Sequence, residues 1–188
     1  PKGRFGSSTD LTNSSSCMAC PPGQFCPYSG MSSLFALLCS PGFYCKGGAF
    51  SAMPTDGTTG YECPKGMYCT LGIEAPKLCP AGTYNSRVKG VNITSCVKCK
   101  PGTACTTPGL ENPDVDCAAG FYCPGGQITD SPADFPCPVG HYCPTGSQWP
   151  LTCPMGQWAN STGQGSCDPC PEGYYCNHND RCPTGNFS

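Results

Sequence analysis

A small disulfide-rich fold with little regular secondary structure, made of tandem short β-hairpin and turn modules stacked into an elongated rod, is what this sequence predicts. Three observations predict it. The 188 residues include 20 Cys, 25 Gly and 22 Pro. Hydrophobic residues stand at 38%, but without the cysteines roughly a quarter of the chain is apolar, too little for a conventional oily core. The third observation is a seven-residue phrase, exemplified by CPEGYYC at 170–176, that recurs along the whole chain.

The phrase consists of an opening Cys, a Gly three residues on, an aromatic, and a closing Cys. It occurs as CPPGQFC (20–26), CSPGFYC (39–45), CPKGMYC (63–69), CAAGFYC (117–123), CPVGHYC (137–143) and CPEGYYC. A degenerate copy, CKPGTAC (99–105), has Ala104 in the aromatic slot. Pro presets φ and Gly accepts the positive φ of a type II turn, after which the aromatic begins a short extended segment. Tyr68, Tyr122, Tyr142 and Tyr175 are expected to cover the neighbouring disulfide or glycine. No stretch carries a helical apolar stripe.

A long form inserts residues between the aromatic and its second Cys. Cys79 opens PAGTYNSRVKGVNITSC, ending at Cys96, and Cys153 opens PMGQWANSTGQGSC, ending at Cys167. The N-terminal PKGRFGSSTDLTNSSSC repeats this grammar from Pro1 to Cys17, without the Cys that would precede Pro1. CPTGNFS from Cys182 begins a further long form. The eight cysteines from Cys17 to Cys79 thus match, in order, the eight from Cys96 to Cys153, and Cys167, Cys170, Cys176 and Cys182 make a shortened third set. The expected organisation is supermodule 1 at 1–79, supermodule 2 at 80–153, a shortened supermodule 3 at 154–182, and the start of another repeat at 183–188.

CPAGTY…SCVKCKPG (79–102) and CPMGQW…SCDPCPEGYY (153–175) resemble the ephrin-receptor-like cysteine-rich repeat, a relative of the tumour-necrosis-factor-receptor modules. Such repeats occur in receptors, in protist and algal surface proteins, and in extracellular fibres that include flagellar hairs (mastigonemes). The resemblance implies that long forms close on themselves, pairing Cys79 with Cys96 and Cys153 with Cys167. Cys17 and Cys182 then each want a partner beyond the chain, in further repeats or in another copy. Strict pairing of sequence neighbours is the alternative. It satisfies every cysteine internally but requires tight CxxC bridges.

Cysteine density points to an oxidising compartment, outside the cell or at its surface. Charged residues are 12% and the net charge is -2, so no basic surface offers itself to nucleic acid or anionic lipid. The longest apolar run, within MSSLFALLC (31–39), is too short to span a bilayer. Pro1 follows neither a Met nor an apolar leader, which reads as a piece of something processed or larger.

No catalytic constellation emerges, and an enzyme is not expected. The CxxC pairs at 17/20, 96/99 and 167/170 lack a second ligand pair for zinc, while His141 and His178 stand alone. Glu111, Asp114 and Asp116, and the loop PTDGTTG (54–60), lack a calcium ligand ladder and read as solvated loops. No cofactor is expected beyond covalent glycans. Sequons for N-glycosylation stand at Asn13, Asn92, Asn160 and Asn186, all in long-form segments, and Asn13 and Asn92 both lie four residues before their Cys. SSTDLTNSSS (7–16) and TTPG (106–109) are weaker candidates for O-glycans.

These observations describe a structural extracellular glycoprotein, a repeat segment of a surface fibre whose partners are copies of itself or further repeats. The rival reading is a receptor or adhesion ectodomain that binds a protein ligand, with Phe35, Leu37 and Leu38 as its contact patch.

Overall fold

The structure is a computed structural model that describes residues 1–6, 13, 16–34 and 37–176. Each phrase begins as its composition requires. The amide of the residue after the turn glycine donates back across the turn, from Gln24 to the Pro21 carbonyl (3.2 Å), Phe43 to Ser40 (3.1 Å), Phe121 to Ala118 (3.1 Å) and Gln157 to Pro154 (3.0 Å). Gly23, Gly42, Gly120 and Gly156 hold φ between 77° and 87° at the third turn position, which is the type II arrangement.

The residues leaving each turn pair with those entering the next phrase. Among the described residues this gives fourteen strands, each two or three residues long. β1 (Arg4–Phe5) pairs with β2 (Met18–Ala19), β3 (Phe43–Cys45) with β4 (Gly60–Glu62), and β5 (Met67–Tyr68) with β6 (Lys77–Leu78). β9 (Thr103–Ala104) pairs with β10 (Val115–Asp116), β11 (His141–Tyr142) with β12 (Leu151–Thr152), and β13 (Gln157–Trp158) with β14 (Asp168–Pro169). With β7 (Thr83–Tyr84) and β8 (Val97–Lys98), the strands form seven two-stranded sheets, and the pairs whose register is given above are all antiparallel. Helical structure among the described residues is confined to the 3-10 turn Ile93–Ser95 and to Ser16.

Successive phrases are joined by the same two main-chain bonds. The opening Cys of each phrase donates its amide to the preceding turn glycine: Cys20 to Gly3, Cys39 to Gly23, Cys63 to Gly42, Cys79 to Gly66, Cys99 to Gly82, Cys117 to Gly102, Cys137 to Gly120, Cys153 to Gly140 and Cys170 to Gly156, at 2.8–3.5 Å. That glycine in turn donates to the closing residue of the following phrase, as Gly23 does to Cys45 (2.9 Å) and Gly102 to Cys123 (2.8 Å). In the long forms the closing slot holds a different residue, so Gly66 donates to Asn85 (2.8 Å) and Gly140 to Ala159 (2.9 Å).

Another pair of bonds reaches one phrase further. The loop after a phrase donates back to the opening Cys of the phrase before it: Gly48 to Cys20, Gly72 to Cys39, Lys89 to Cys63, Gly109 to Cys79, Gly126 to Cys99, Gly146 to Cys117 and Gly163 to Cys137, at 2.7–2.9 Å. The next loop carbonyl accepts from the closing residue, as Ala49 does from Cys26 (2.8 Å) and Leu110 from Asn85 (3.0 Å). Buried main-chain polar groups are thereby satisfied without long sheet ladders.

The close approach this requires explains the turn glycine a second time. A Cβ on Gly66 would lie 2.1 Å from the Gly109 carbonyl oxygen, and one on Gly120 would lie 2.3 Å from that of Gly163.

The chain divides into two compact units: 1–80 with 85–97 and 109–111, and 81–84 with 98–108 and the residues from Asn112 onward. Segment 109–111 counts with the first unit because Gly109 and Leu110 bond Cys79 and Asn85 there. Within the units the buried apolar residues are overwhelmingly cysteines, joined by Ala49, Ala104, Ala159, Phe43 and Tyr84. Disulfides replace the oily core.

Candidate functional site

Nine disulfides join the described residues. Seven close a short phrase with a sequence separation of 6, for example Cys63–Cys69 and Cys170–Cys176. Cys79–Cys96 and Cys153–Cys167 close the long forms, with separations of 17 and 14. Cys17 is half-buried and carries no disulfide among the described residues. Cys182 lies outside them. A dense set of local disulfides fits a secreted or extracellular cysteine-rich domain in an oxidising setting. No described helix is long and apolar enough to cross a membrane.

The long-form inserts begin where the closing Cys is absent, and they supply the loop residues Lys89 and Gly163 that bond Cys63 and Cys137. Asn85 fills the closing slot of the Cys79 phrase and is buried. Its amide nitrogen donates to the Met67 carbonyl at 2.9 Å, and its side-chain oxygen accepts from the Arg87 amide at 3.1 Å. The small Ala159 is buried in the equivalent slot of the Cys153 phrase, and Gly6 in the N-terminal one. With the slot filled by something other than a thiol, the chain continues through its insert before reaching its Cys at 96 or 167.

Asn92 lies exposed on the insert and caps the 3-10 turn. Its side-chain oxygen accepts from the Thr94 amide (2.9 Å) and the Thr94 hydroxyl (2.6 Å). Sequon Asn and Thr are therefore in contact, with the Asn92 amide nitrogen on the exposed side chain. Asn13 occupies the same turn: its carbonyl accepts from Ser16 at 3.1 Å, as that of Asn92 accepts from Ser95 at 3.0 Å. Asn13 and Asn160 are exposed as well, and Asn186 lies outside the described residues.

Phe35 also lies outside them. Leu37 is half-buried and its carbonyl accepts from the Phe25 amide at 3.0 Å. Leu38 is 37% exposed and packs on the loop glycine Gly72, where a Cβ would come within 3.0 Å of its Cδ2. Of the tyrosines expected to cover their phrase, Tyr68, Tyr122 and Tyr142 are half-buried, whereas Tyr175 is 54% exposed.

The acidic loops are organised by hydroxyls. Asp56 accepts from the Thr59 hydroxyl (2.6 Å) and from the Thr58 and Thr59 amides (2.9 and 2.8 Å). These bonds, that of the Thr59 hydroxyl foremost, hold its carboxyl at about 2, below the ordinary 3.8. Asp114 accepts from the Thr106 hydroxyl (2.5 Å) and amide (3.0 Å), and the hydroxyl is the main reason its pKa is lowered. Thr106, within the candidate O-glycan stretch, is thus engaged. Among the described residues no three His, Cys, Asp or Glu side chains converge to hold a metal.

Sequence reading missed one surface feature. Pro144, Thr145, Gly146, Ser147, Gln148, Trp149 and Leu151 line an open groove of about 330 Å³, with Trp149 59% and Leu151 45% exposed. The signal available was SQWPL, an unusual Trp in an otherwise polar inter-phrase loop.

No protein-family model matches the chain, and no curated protein matches it.

Proposed function

We propose that the chain is a segment of a structural extracellular glycoprotein, an elongated, N-glycosylated surface fibre of the ephrin-receptor-like repeat type. What supports this most is the constancy of the joint: the same Gly-to-Cys bonds link every phrase from Gly3 to Cys170, whatever the length of the intervening loop. A chain in which each unit contacts mainly its neighbours extends by addition. The placement of sequons on exposed inserts supports the glycan part of the reading, since sugars there would clothe the surface without disturbing the ladder. The disulfides supply stability that a core of this composition cannot.

Electron microscopy of native material tests the proposal. Filaments or long threads are expected, and isolated compact monomers would overturn it. A non-reduced peptide map with glycan analysis should find Asn92 and Asn160 occupied. Unmodified peptides at both positions in secreted material would remove the glycoprotein part.

The Trp149 groove favours a second reading, a receptor or adhesion ectodomain that binds a protein ligand. A transmembrane helix in the same polypeptide would favour that reading, and more regularly spaced repeats would favour the fibre.

A further inference from the structure

The ladder covers some of its loop glycines and leaves others open. At three loop glycines the side chain of the residue immediately before an opening Cys lies against the loop residue that bonds that Cys, whereas Ala19 and Pro136 do not come within 4 Å of a Cβ on Gly48 or Gly163. Leu38 covers Gly72, Leu78 covers Gly109 and Lys98 covers Gly126, where added Cβ atoms would lie 3.0, 2.7 and 3.5 Å from the covering side chain. In the Cys63 phrase the two slots hold Glu62 and Lys89, which form an ion pair at 3.0 Å. At Gly146, which bonds the Cys117 carbonyl at 2.8 Å, the residue in the corresponding position is Asp116. Asp116 does not cover it: a Cβ on Gly146 would meet no described atom within 4 Å.

The uncovered glycine is part of the groove that Pro144, Trp149 and Leu151 line. Asp116 is exposed, directly precedes the Cys117 whose carbonyl accepts from the Gly146 amide, and belongs to neither ion pair of the described residues, Lys65–Glu111 and Lys89–Glu62. The vacancy therefore combines the bed on which Lys98 lies in the preceding step, an exposed indole face, and an unneutralised carboxylate.

We propose that this groove receives an exposed lysine or arginine side chain of a partner protein, with its stem over Gly146 and against Trp149 and its charge beside Asp116. The chain already uses both halves of this recognition internally. The Lys98 stem lies on Gly126, and the Lys46 ammonium stands 4.6 Å from the Tyr61 ring centroid. A long aliphatic cation matches the site in shape and in charge. The inference does not depend on whether the parent molecule is a fibre or a receptor.

The test uses the intact, disulfide-bonded chain, isotope-labelled, and three capped tripeptides: Gly-Lys-Gly, Gly-Arg-Gly and Gly-norleucine-Gly. The basic peptides should shift the Trp149 indole and Gly146 amide resonances saturably. Norleucine should bind about two- to fivefold more weakly, and Asp116→Asn should weaken the basic peptides by a similar factor. Asp116→Lys should lay its own stem over Gly146 as Lys98 does over Gly126, abolishing peptide binding. An unchanged non-reduced disulfide map would show that each variant folds. Equal binding of norleucine and lysine peptides, no saturable shift, or an Asp116→Lys variant that binds like the parent would each overturn the proposal.

Discussion

At the scale of single residues, the loop slot shows how sequence and backbone negotiate. Gly48, Gly72, Gly109, Gly126, Gly146 and Gly163 occupy it with positive φ, while Lys89, at φ 62°, is the one non-glycine residue with positive φ among the described residues. An L side chain there costs on the order of 1 kcal/mol. Its ion pair with Glu62 is half-exposed on both sides, so screening leaves it worth a few tenths of a kcal/mol at most by comparison. Lys89→Gly should therefore stabilise the chain by about 0.5 kcal/mol in denaturant unfolding with the disulfides intact. A loss of stability would mean that the Lys89 contacts with Glu62 and Phe43 outweigh the strain. Gly66→Ala should do the reverse. It forces both a strained φ and a clash with the Gly109 carbonyl, costing roughly 2 kcal/mol or more and lowering the secreted yield. Asp56 supplies a pH test. Its folded pKa lies below 3.8, so the turn bonds contribute above that value and are lost as pH falls through about 2. A carboxyl resonance titrating near 2, moved upward by Thr59→Val, is the expected NMR result.

At the scale of elements, the hairpins cannot stand alone. Strands of two or three residues are far below the length at which an isolated two-stranded ribbon holds in water. Their disulfides hold them, and the two kinds of loop should differ in effect. In the chain-entropy picture, closure over a separation of 6 contributes about 2 kcal/mol and closure over 17 about 3 kcal/mol. Replacing Cys79 and Cys96 together by Ser should therefore destabilise about 1 kcal/mol more than replacing Cys63 and Cys69, as read from unfolding midpoints. The opposite ranking would mean that the short bridge, with both sulfurs fully buried, matters chiefly through packing.

At the scale of the whole molecule, the same accounting predicts that a phosphine reductant without denaturant removes the dispersed amide spectrum, because little besides sulfur fills the interior. Retained dispersion would show that Phe43, Tyr84 and the buried alanines form a sufficient core. Much of this architecture was readable in the sequence. The Cys-x-x-Gly spacing marks each turn, and the cysteine register marks each module. The loop slot was not readable, because loop lengths vary and one of its occupants, Lys89, is not glycine. The closing slot of the long forms hid for a related reason: Gly6, Asn85 and Ala159 share a backbone role but no side-chain chemistry. The groove at Gly146 was invisible because it depends on a loop glycine left without a covering side chain, and the spacing of cysteines and glycines carries no mark of that.

The reach of the ladder also bears on how such a chain is made. Each phrase needs only the next phrase and the loop beyond it to satisfy its main-chain bonds, and most of its cysteines find partners six residues away. Folding by local contacts is fast and does not wait for distant segments. Such a polypeptide can be oxidised from its leading end as it is threaded into the secretory lumen, each bridge sealed before its successor arrives. Mispairing is then limited by the order of arrival, which is how a chain with twenty thiols can reach one connectivity.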